Sequence, residues 1–257
     1  MRPPVFYIKI QGGKMKNIAA FFDIDGTIFR DSLMTRNFKK LLQYEIISNK
    51  TYYSKVYDIE KNWAKRYGEY DDYITTISTI YAENLKGINM DFLNFIADQT
   101  IESSYEDIYK YSRDRLAYHK DQGHLIFFIS GSPDFLVSRM AKKYYATDYR
   151  GTVYIPDENN NFSGEISKMW NSENKYLAMQ ELLEKYDIDL DRSYAYGDTI
   201  GDLSMLSLVG NPIAINPTKE LLKAINSKDA LRKKAQIAVE RKNIVYSLRA
   251  DVEILDL

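Results

Sequence analysis

The 257-residue chain is 45% hydrophobic and 28% charged, with 35 Lys and Arg against 36 Asp and Glu, two His and no Cys. At roughly 100–200 residues per domain this is one large domain, or a core with a smaller module. The missing thiols exclude disulfides, thiolate metal sites and a Cys nucleophile, and two His leave no room for a His-rich zinc cluster. A net charge of -1 speaks against nucleic acid as a partner. Chemistry at neutral pH must therefore come from carboxylates, hydroxyls, Lys and metal ions with oxygen ligands. The 22 Tyr read as a compositional bias rather than as a function.

No run approaches the roughly 18 apolar residues of a membrane span. The opening MRPPVFYIKIQGG has too short an apolar patch for a signal-peptide core, so a cytoplasmic chain with no membrane partner is expected. Residues 1–14 read as a disordered extension, because Met15-Lys16-Asn17 leads directly into the first apolar strand.

Ile18-Ala19-Ala20-Phe21-Phe22 predicts that strand, ending at Asp23. Residues 32–102 then hold no strand-like run but four amphipathic patterns in succession: Met34, Phe38, Leu41 and Leu42; Tyr52, Val56, Ile59, Trp63 and Tyr67; Tyr70, Ile74, Ile77, Tyr81 and Leu85; and Phe92, Phe95 and Ile96. Breaks at Ser48-Asn49-Lys50, Gly68 and Gly87 make this a four-helix bundle inserted after the first strand. A helix over about 104–121 leads through Gly123 into a second strand, Leu125–Ile129. Ser130-Gly131-Ser132-Pro133 follows, with Ser132 as N-cap and Pro133 as the first helical residue. A hairpin is expected over 151–168 around Asp157–Asn161. The next helix opens at Asn174-Lys175 and places Tyr176, Met179, Leu183 and Tyr186 on one face. Strands at Ser193–Tyr196 and Pro212–Ile215 and a last strand at Ala235–Val239 complete the chain. Continuous apolar runs without alternation suit strands buried on both faces, and their alternation with helices predicts an α/β fold with a parallel sheet.

Four clusters carry candidate chemistry. Asp23-Ile24-Asp25-Gly26-Thr27 sets two carboxylates at a strand's carboxyl end, an arrangement that favours a cation such as Mg²⁺ between them. An Asp there can also be a covalent nucleophile towards phosphorus. Ser130 and Gly131 offer a hydroxyl and backbone N–H groups at a helix start, which suits an anion. Lys175 opens a helix, and Gly197-Asp198-Thr199-Ile200-Gly201-Asp202 puts two more carboxylates at a third strand end. Alone, each has a plain structural explanation: an Asp-Gly turn, an N-cap, a surface Lys, a capping Asp. In open α/β sheets ligands bind outside the carboxyl ends of the strands, so one crevice can collect all four.

In this order the clusters resemble the motifs of the haloacid-dehalogenase superfamily of phosphohydrolases, in the branch containing phosphoserine phosphatases. The likeness runs from about Asn17 to about residue 248. It implies a Rossmann-like three-layer core (15–31 and 103–257) with an inserted C1-type helical cap (32–102), and a Mg²⁺-dependent phosphatase acting on a small-molecule phosphomonoester through an aspartyl-phosphate. Asp23 resembles the nucleophile and Asp25 the general acid and base. Thr27, Ser130, Gly131 and Lys175 resemble the phosphate-binding set, with Lys175 neutralising charge. Asp198 resembles the Mg²⁺ ligand that joins the Asp23 carboxylate and the Asp25 backbone carbonyl. Asp202 resembles its partner, acting through water or by orienting Lys175.

Two positions depart from the phosphoserine phosphatase pattern. Ser32 stands where an acidic residue holds the substrate amine, with Asp31 one residue early, and Gly201 stands where Asn usually precedes the second Asp. The cap aromatics read as core or, less simply, as a cage for a choline-like head group. Arg36, Lys39, Lys40, Lys65 and Arg66 read as a solvated face or as contacts for an anionic tail. His119 and His124 lie outside all four motifs and read as structural or surface residues. A phosphotransferase or mutase using the same chemistry, or a catalytically silent binding protein with this fold, are the alternative functions. The residues specify no oligomeric state.

Overall fold

The computed structural model describes residues 16–68 and 70–254; the expected extension at 1–14 lies outside the described residues. Eight strands form one sheet: β1 (Ala19–Phe22), β2 (Leu125–Pro133), β3 (Asp148–Pro156), β4 (Phe162–Ser167), β5 (Tyr194–Gly197), β6 (Asn211–Ile215), β7 (Gln236–Arg241) and β8 (Ile244–Arg249). Their order is β4-β3-β2-β1-β5-β6-β7-β8. Pairing is parallel from β3 to β7, with β4 and β8 antiparallel at the two edges.

β1 lies in the middle, wholly buried, with Phe21 opposite Phe127 on one side and Ala195 on the other. Its side chains alternate between two apolar clusters. Ala20 and Phe22 join Ile126, Phe128 and Tyr196 on one face, while Ala19 and Phe21 join Phe127, Ile129 and Ala195 on the other. A strand covered on both faces has no polar side, which is why its sequence shows no alternation.

Among the described residues five helices, not four, lie within 32–102: α1 (Leu33–Gln43), α2 (Asn49–Lys55), α3 (Tyr57–Ala64), α4 (Tyr70–Leu85) and α5 (Met90–Glu102). Ser32, Ser48 and Asn89 cap α1, α2 and α5 through their side chains, each accepting an otherwise orphaned N–H. The expected second helix is divided at Val56, whose φ of -114° interrupts the turn while its side chain is buried. Its stripe also stops early. Arg66 takes a φ of 62°, so Tyr67 leaves the helical spacing and is 82% exposed.

Within these helices the Tyr81 hydroxyl donates to Asn37 Oδ1 at 2.6 Å, and Asn37 Nδ2 donates to Thr100 Oγ1 at 2.9 Å, so the buried amide is satisfied. Their apolar faces run into the same cluster as β2, the β3–β4 hairpin and α7 (Asp134–Lys143).

Further along, α6 spans Lys110–Asp121, shorter than the helix expected over 104–121. Residues 107–109 instead pair with the segment after β1, through Arg30 N–H to the Asp107 carbonyl and Tyr109 N–H to the Ile28 carbonyl. β3 begins earlier than the expected hairpin because its first half pairs in parallel with β2.

In α8 (Ser172–Lys185) the buried face is Lys175, Ala178, Met179 and Leu182, while Tyr176 is exposed. α9 (Leu203–Leu208), α10 (Lys219–Ser227) and α11 (Asp229–Lys234) follow. β8, beyond the expected last strand, is joined to β7 by Lys242 and Asn243. No helix among the described residues is long and apolar enough to cross a membrane.

Candidate active site

The site forms where β1, β2 and β5 end. Asp23 follows β1 directly and is 5% exposed. The chain then turns at Gly26, whose φ of 79° lies in the left-handed region. A Cβ there would collide with the Asp198 carboxylate, so glycine is needed for conformation and for room. The turn aims the Asp25 carboxylate back at its own chain and at β2. Asp25 Oδ1 accepts from Leu33 N at 2.7 Å, and Oδ2 accepts from Ser132 Oγ at 2.5 Å and Ser130 Oγ at 3.2 Å.

Ser132 is therefore not the N-cap of α7, whose N-cap position is Pro133. Residues 130 and 132 lie on one strand and share a face, and that spacing is the signal that pairs them.

Lys175 reaches in from the first turns of α8, which is capped by Asn171. Its Nζ lies 2.6 Å from Asp23 Oδ1 and 2.6 Å from Asp202 Oδ1, with all three side chains buried. Asp202 Oδ2 accepts from the Asp198 and Thr199 N–H groups at 3.0 Å each, so both its oxygens have protein donors. Thr27 is fully buried and donates its hydroxyl to Asp198 Oδ1 at 3.0 Å. The carboxylates of Asp23, Asp198 and Asp202 offer oxygens within 4.8 Å of one another.

Every candidate residue is thus in one place, but the roles of neighbours differ. The Asp25 carboxylate stands outside the three-carboxylate group, and the Thr27 hydroxyl serves Asp198.

The electrostatics follow from burial. Burial pushes the Asp23 carboxyl up to about 8, against the pull of the Lys175 ammonium and with Asp202 and Asp25 adding repulsion. Burial likewise raises Asp25, while hydrogen bonds from Ser132, Leu33 and Ser130 pull it down. Asp198 is held well above the usual carboxylate range by burial and then by Asp23 and Asp202. Burial works to lower Lys175, but Asp202 and Asp23 outweigh it and keep the ammonium charged. Two buried carboxylates and the half-buried Asp198 lie around one ammonium, and all-oxygen donors of this kind suit a hard divalent cation.

A cleft of about 510 Å³ opens over this group. Asp23, Asp25, Gly131, Ser132 and Lys175 line its floor, and Tyr70, the first residue of α4, reaches it from the inserted helices. Burial raises the Tyr70 phenol, with Asp25, Asp198 and Asp31 adding to the effect. Nothing in the local sequence distinguishes Tyr70 or Trp170 from core aromatics. Arg36 is engaged by Asp31 and Asp107, Lys39 by Glu60, and Arg66 lies over Trp63. His119 is fully buried, bonded to Tyr196 and His124, which suits a structural role.

A probable phosphatase of Mycobacterium tuberculosis (strain ATCC 25618 / H37Rv) is 27% identical over 212 residues, covering 80% of this chain and 71% of that one. Among solved structures, a protein of unknown function from Bordetella pertussis Tohama I matches with a TM-score of 0.67 at 15% identity, over 83% of this chain and 96% of its own. A phosphoserine phosphatase solved as an analogue of its phospho-aspartyl intermediate matches with a TM-score of 0.57 at 16% identity, over 89% and 95%. These two likenesses show the fold. Residues 20–207 match the haloacid dehalogenase-like hydrolases, and the chain belongs to that family.

Proposed function

We infer that this hydrolase is a phosphoric monoester hydrolase that cleaves a small-molecule phosphomonoester through an aspartyl-phosphate on Asp23. The observation that carries the reading is the buried Lys175 ammonium, 2.6 Å from both Asp23 and Asp202, beside the Asp23–Asp198–Asp202 carboxylates. Phosphoryl transfer needs positioning and neutralisation of the equatorial oxygens more than covalent chemistry from the protein. Lys175 supplies a fixed positive charge, and it holds one Asp23 oxygen so that the carboxylate keeps a single orientation.

In the first step an Asp23 oxygen bonds to phosphorus as the bond to the leaving oxygen breaks. Asp25, raised by burial, carries the proton that the departing alcohol takes up. In the second step water attacks phosphorus, Asp25 takes its proton, and the bond to Asp23 breaks to release phosphate. Ser130, Ser132 and the Leu33 N–H hold the Asp25 carboxylate between these duties. The Gly131 N–H is assigned to the phosphoryl oxygens, and the Ser130 hydroxyl joins it by turning away from Asp25, to which it donates at 3.2 Å without substrate.

Asp23 and Asp198 would hold a Mg²⁺ ion, which supplies electrostatic stabilisation of the transferring group. The Asp25 backbone carbonyl would join them. Asp202, with both oxygens already on protein donors, positions Lys175 and the 198–199 turn and would add negative charge beside the ion. The helices over 32–102 are assigned as the cap that closes the site.

The test is Mg²⁺-dependent phosphate release from a generic phosphomonoester, with trapping of labelled phosphoenzyme by acid quench. Label on wild type and none on Asp23→Asn is the expected result. Turnover without a trapped intermediate, or undiminished in the variant, overturns it. Added acceptor alcohols that divert the phosphoryl group would mark a phosphotransferase instead.

A further inference from the structure

We propose that the leaving-group side of the cleft takes an uncharged alcohol with an apolar body, not an amino acid or a choline-like cation. The proposal rests on the phosphomonoesterase reading above and names the class of substrate that reading leaves open.

The cleft's volume of about 510 Å³ falls among pockets that enclose whole small molecules, so most of it is available to the part of the substrate that leaves. Beyond the acidic floor its apolar walls are Met34 from α1, Tyr70 and Ile74 from α4, Tyr154 from β3, Trp170 before α8 and Ile200 after β5, with the uncharged Asn171, Ser172 and Thr199 between the last two. The polar additions on the α1 and α4 side are hydroxyls, those of Ser32, Thr75 and Ser78. Such a surface gains by covering methylene groups, and its hydroxyls can meet a neutral polar substituent.

A charged leaving group finds no partner there. Among the described lining residues Lys175 is the one cation, and it is engaged by Asp23 and Asp202. Of the cations on adjoining segments, Arg36 is paired with Asp31 and Asp107 and Lys39 with Glu60, while Lys168 is exposed to water and lies over the ring of Trp170, 4.8 Å from its centroid. A substrate carboxylate would be desolvated without a counter-charge, which is strongly unfavourable.

An ammonium fares no better. Asp31, adjacent to the expected amine-binding position, is bonded to Arg36 at 2.9 Å and to the Ser32 N–H at 2.9 Å. The described carboxylates in the lining are Asp23 and Asp25, both at the phosphoryl end.

The aromatic walls do not form a cage either. Tyr154 packs its ring with Tyr81, Phe135 and Phe162, Tyr70 packs with Trp63 and Tyr73, and Trp170 already carries Lys168. These rings serve as apolar wall.

The experiment compares kcat/KM of the full chain, at saturating Mg²⁺, for ethyl, butyl and hexyl phosphate, O-phosphoserine, phosphoethanolamine and phosphocholine. Acetyl phosphate reports the phosphoryl chemistry by itself. The expected result is a rise of at least tenfold from ethyl to hexyl phosphate, with O-phosphoserine and both amines below ethyl phosphate.

Ile74→Lys then places a cation in the wall. It should lower the hexyl-to-phosphoserine ratio at least tenfold, with folding checked by thermal melting. A flat alkyl series, or preference for O-phosphoserine, phosphoethanolamine or phosphocholine while acetyl phosphate is turned over, overturns this proposal and leaves the phosphatase reading standing. An unchanged ratio in a folded Ile74→Lys protein also overturns it. Failure to hydrolyse acetyl phosphate or any ester overturns the phosphatase reading and this proposal together.

Discussion

The Ser132 hydroxyl donates to Asp25 Oδ2 at 2.5 Å, tying the carboxyl end of β2 to the turn after β1 across 107 residues of chain. The bond favours the ionised form of Asp25 and opposes the effect of burial. Ser132→Ala removes that opposition, so the Asp25 pKa rises further. With Asp25 as the acid of the first step, its protonated form then persists to higher pH. The alkaline limb of the kcat/KM profile should move upward, with kcat reduced by about tenfold, less than the roughly hundredfold or more that a general acid itself contributes. A pH profile that does not move would show that Asp25 is not the titrating acid.

Asp23→Asn should lower turnover by about a thousandfold or more, since no other described group is placed to form the phosphoenzyme. The fold should survive, because Lys175 keeps Asp202 as its counter-ion and the substitution removes a buried charge. Steady-state kinetics and thermal melting of the variant check both halves. A variant that melts far below the wild type would instead assign Asp23 a structural duty.

Divalent metal should stabilise the folded chain even without substrate. The Asp23–Asp198–Asp202 group is built only in the native state, so Mg²⁺ at about 100 times its Kd should add about 2.7 kcal/mol. Thermal melts in EDTA and in Mg²⁺ measure this directly. Asp198→Asn should lose most of the shift, and identical melts for wild type with and without the ion would contradict the metal assignment.

His119 predicts a separate pH effect, on stability. It is fully buried, with Nε2 2.8 Å from the Tyr196 hydroxyl and Nδ1 2.8 Å from His124 Nδ1. Burial, with Arg115 and His124 adding, pushes its pKa from 6.5 down to about 3. The unfolded chain therefore binds a proton below about pH 6.5 that the native state refuses. Stability is fully present above about pH 6.5 and is lost as pH falls towards about 3. The slope from this residue is at most about 1.4 kcal/mol per pH unit. Denaturant melts across that range should show the decline, and His119→Gln should flatten it.

Much of the fold was legible because burial on both faces leaves a plain mark. The runs at 18–22, 125–129 and 212–215 are apolar throughout, and each lies within or beside a central strand covered by helices on both sides. β8 left no such mark. It is an edge strand whose Ile244 and Tyr246 are 48% exposed, and its turn, Lys242-Asn243, lacks the glycine that usually announces a two-residue hairpin. The α2–α3 break and the late start of α6 were also hidden, because a buried Val56 and pairing with residues 28–30 decided them.

The sequence by itself determined the kind of chemistry open to the chain and its candidates: with no thiol and two imidazoles, the candidate groups were Asp23, Asp25, Asp198, Asp202, Ser130 and Lys175, each set at a strand end or near a helix start. Only the tertiary structure decided what each one touches. Ser132 looked like a helix cap until β1 and β2 lay side by side, and Thr27 looked free for phosphate until Asp198 came within 3.0 Å. The walls of the cleft come from residues as far apart as Met34, Tyr70, Tyr154 and Ile200. A local pattern encodes what a residue can do. The shape and charge of a cavity are properties of distant segments brought together by packing.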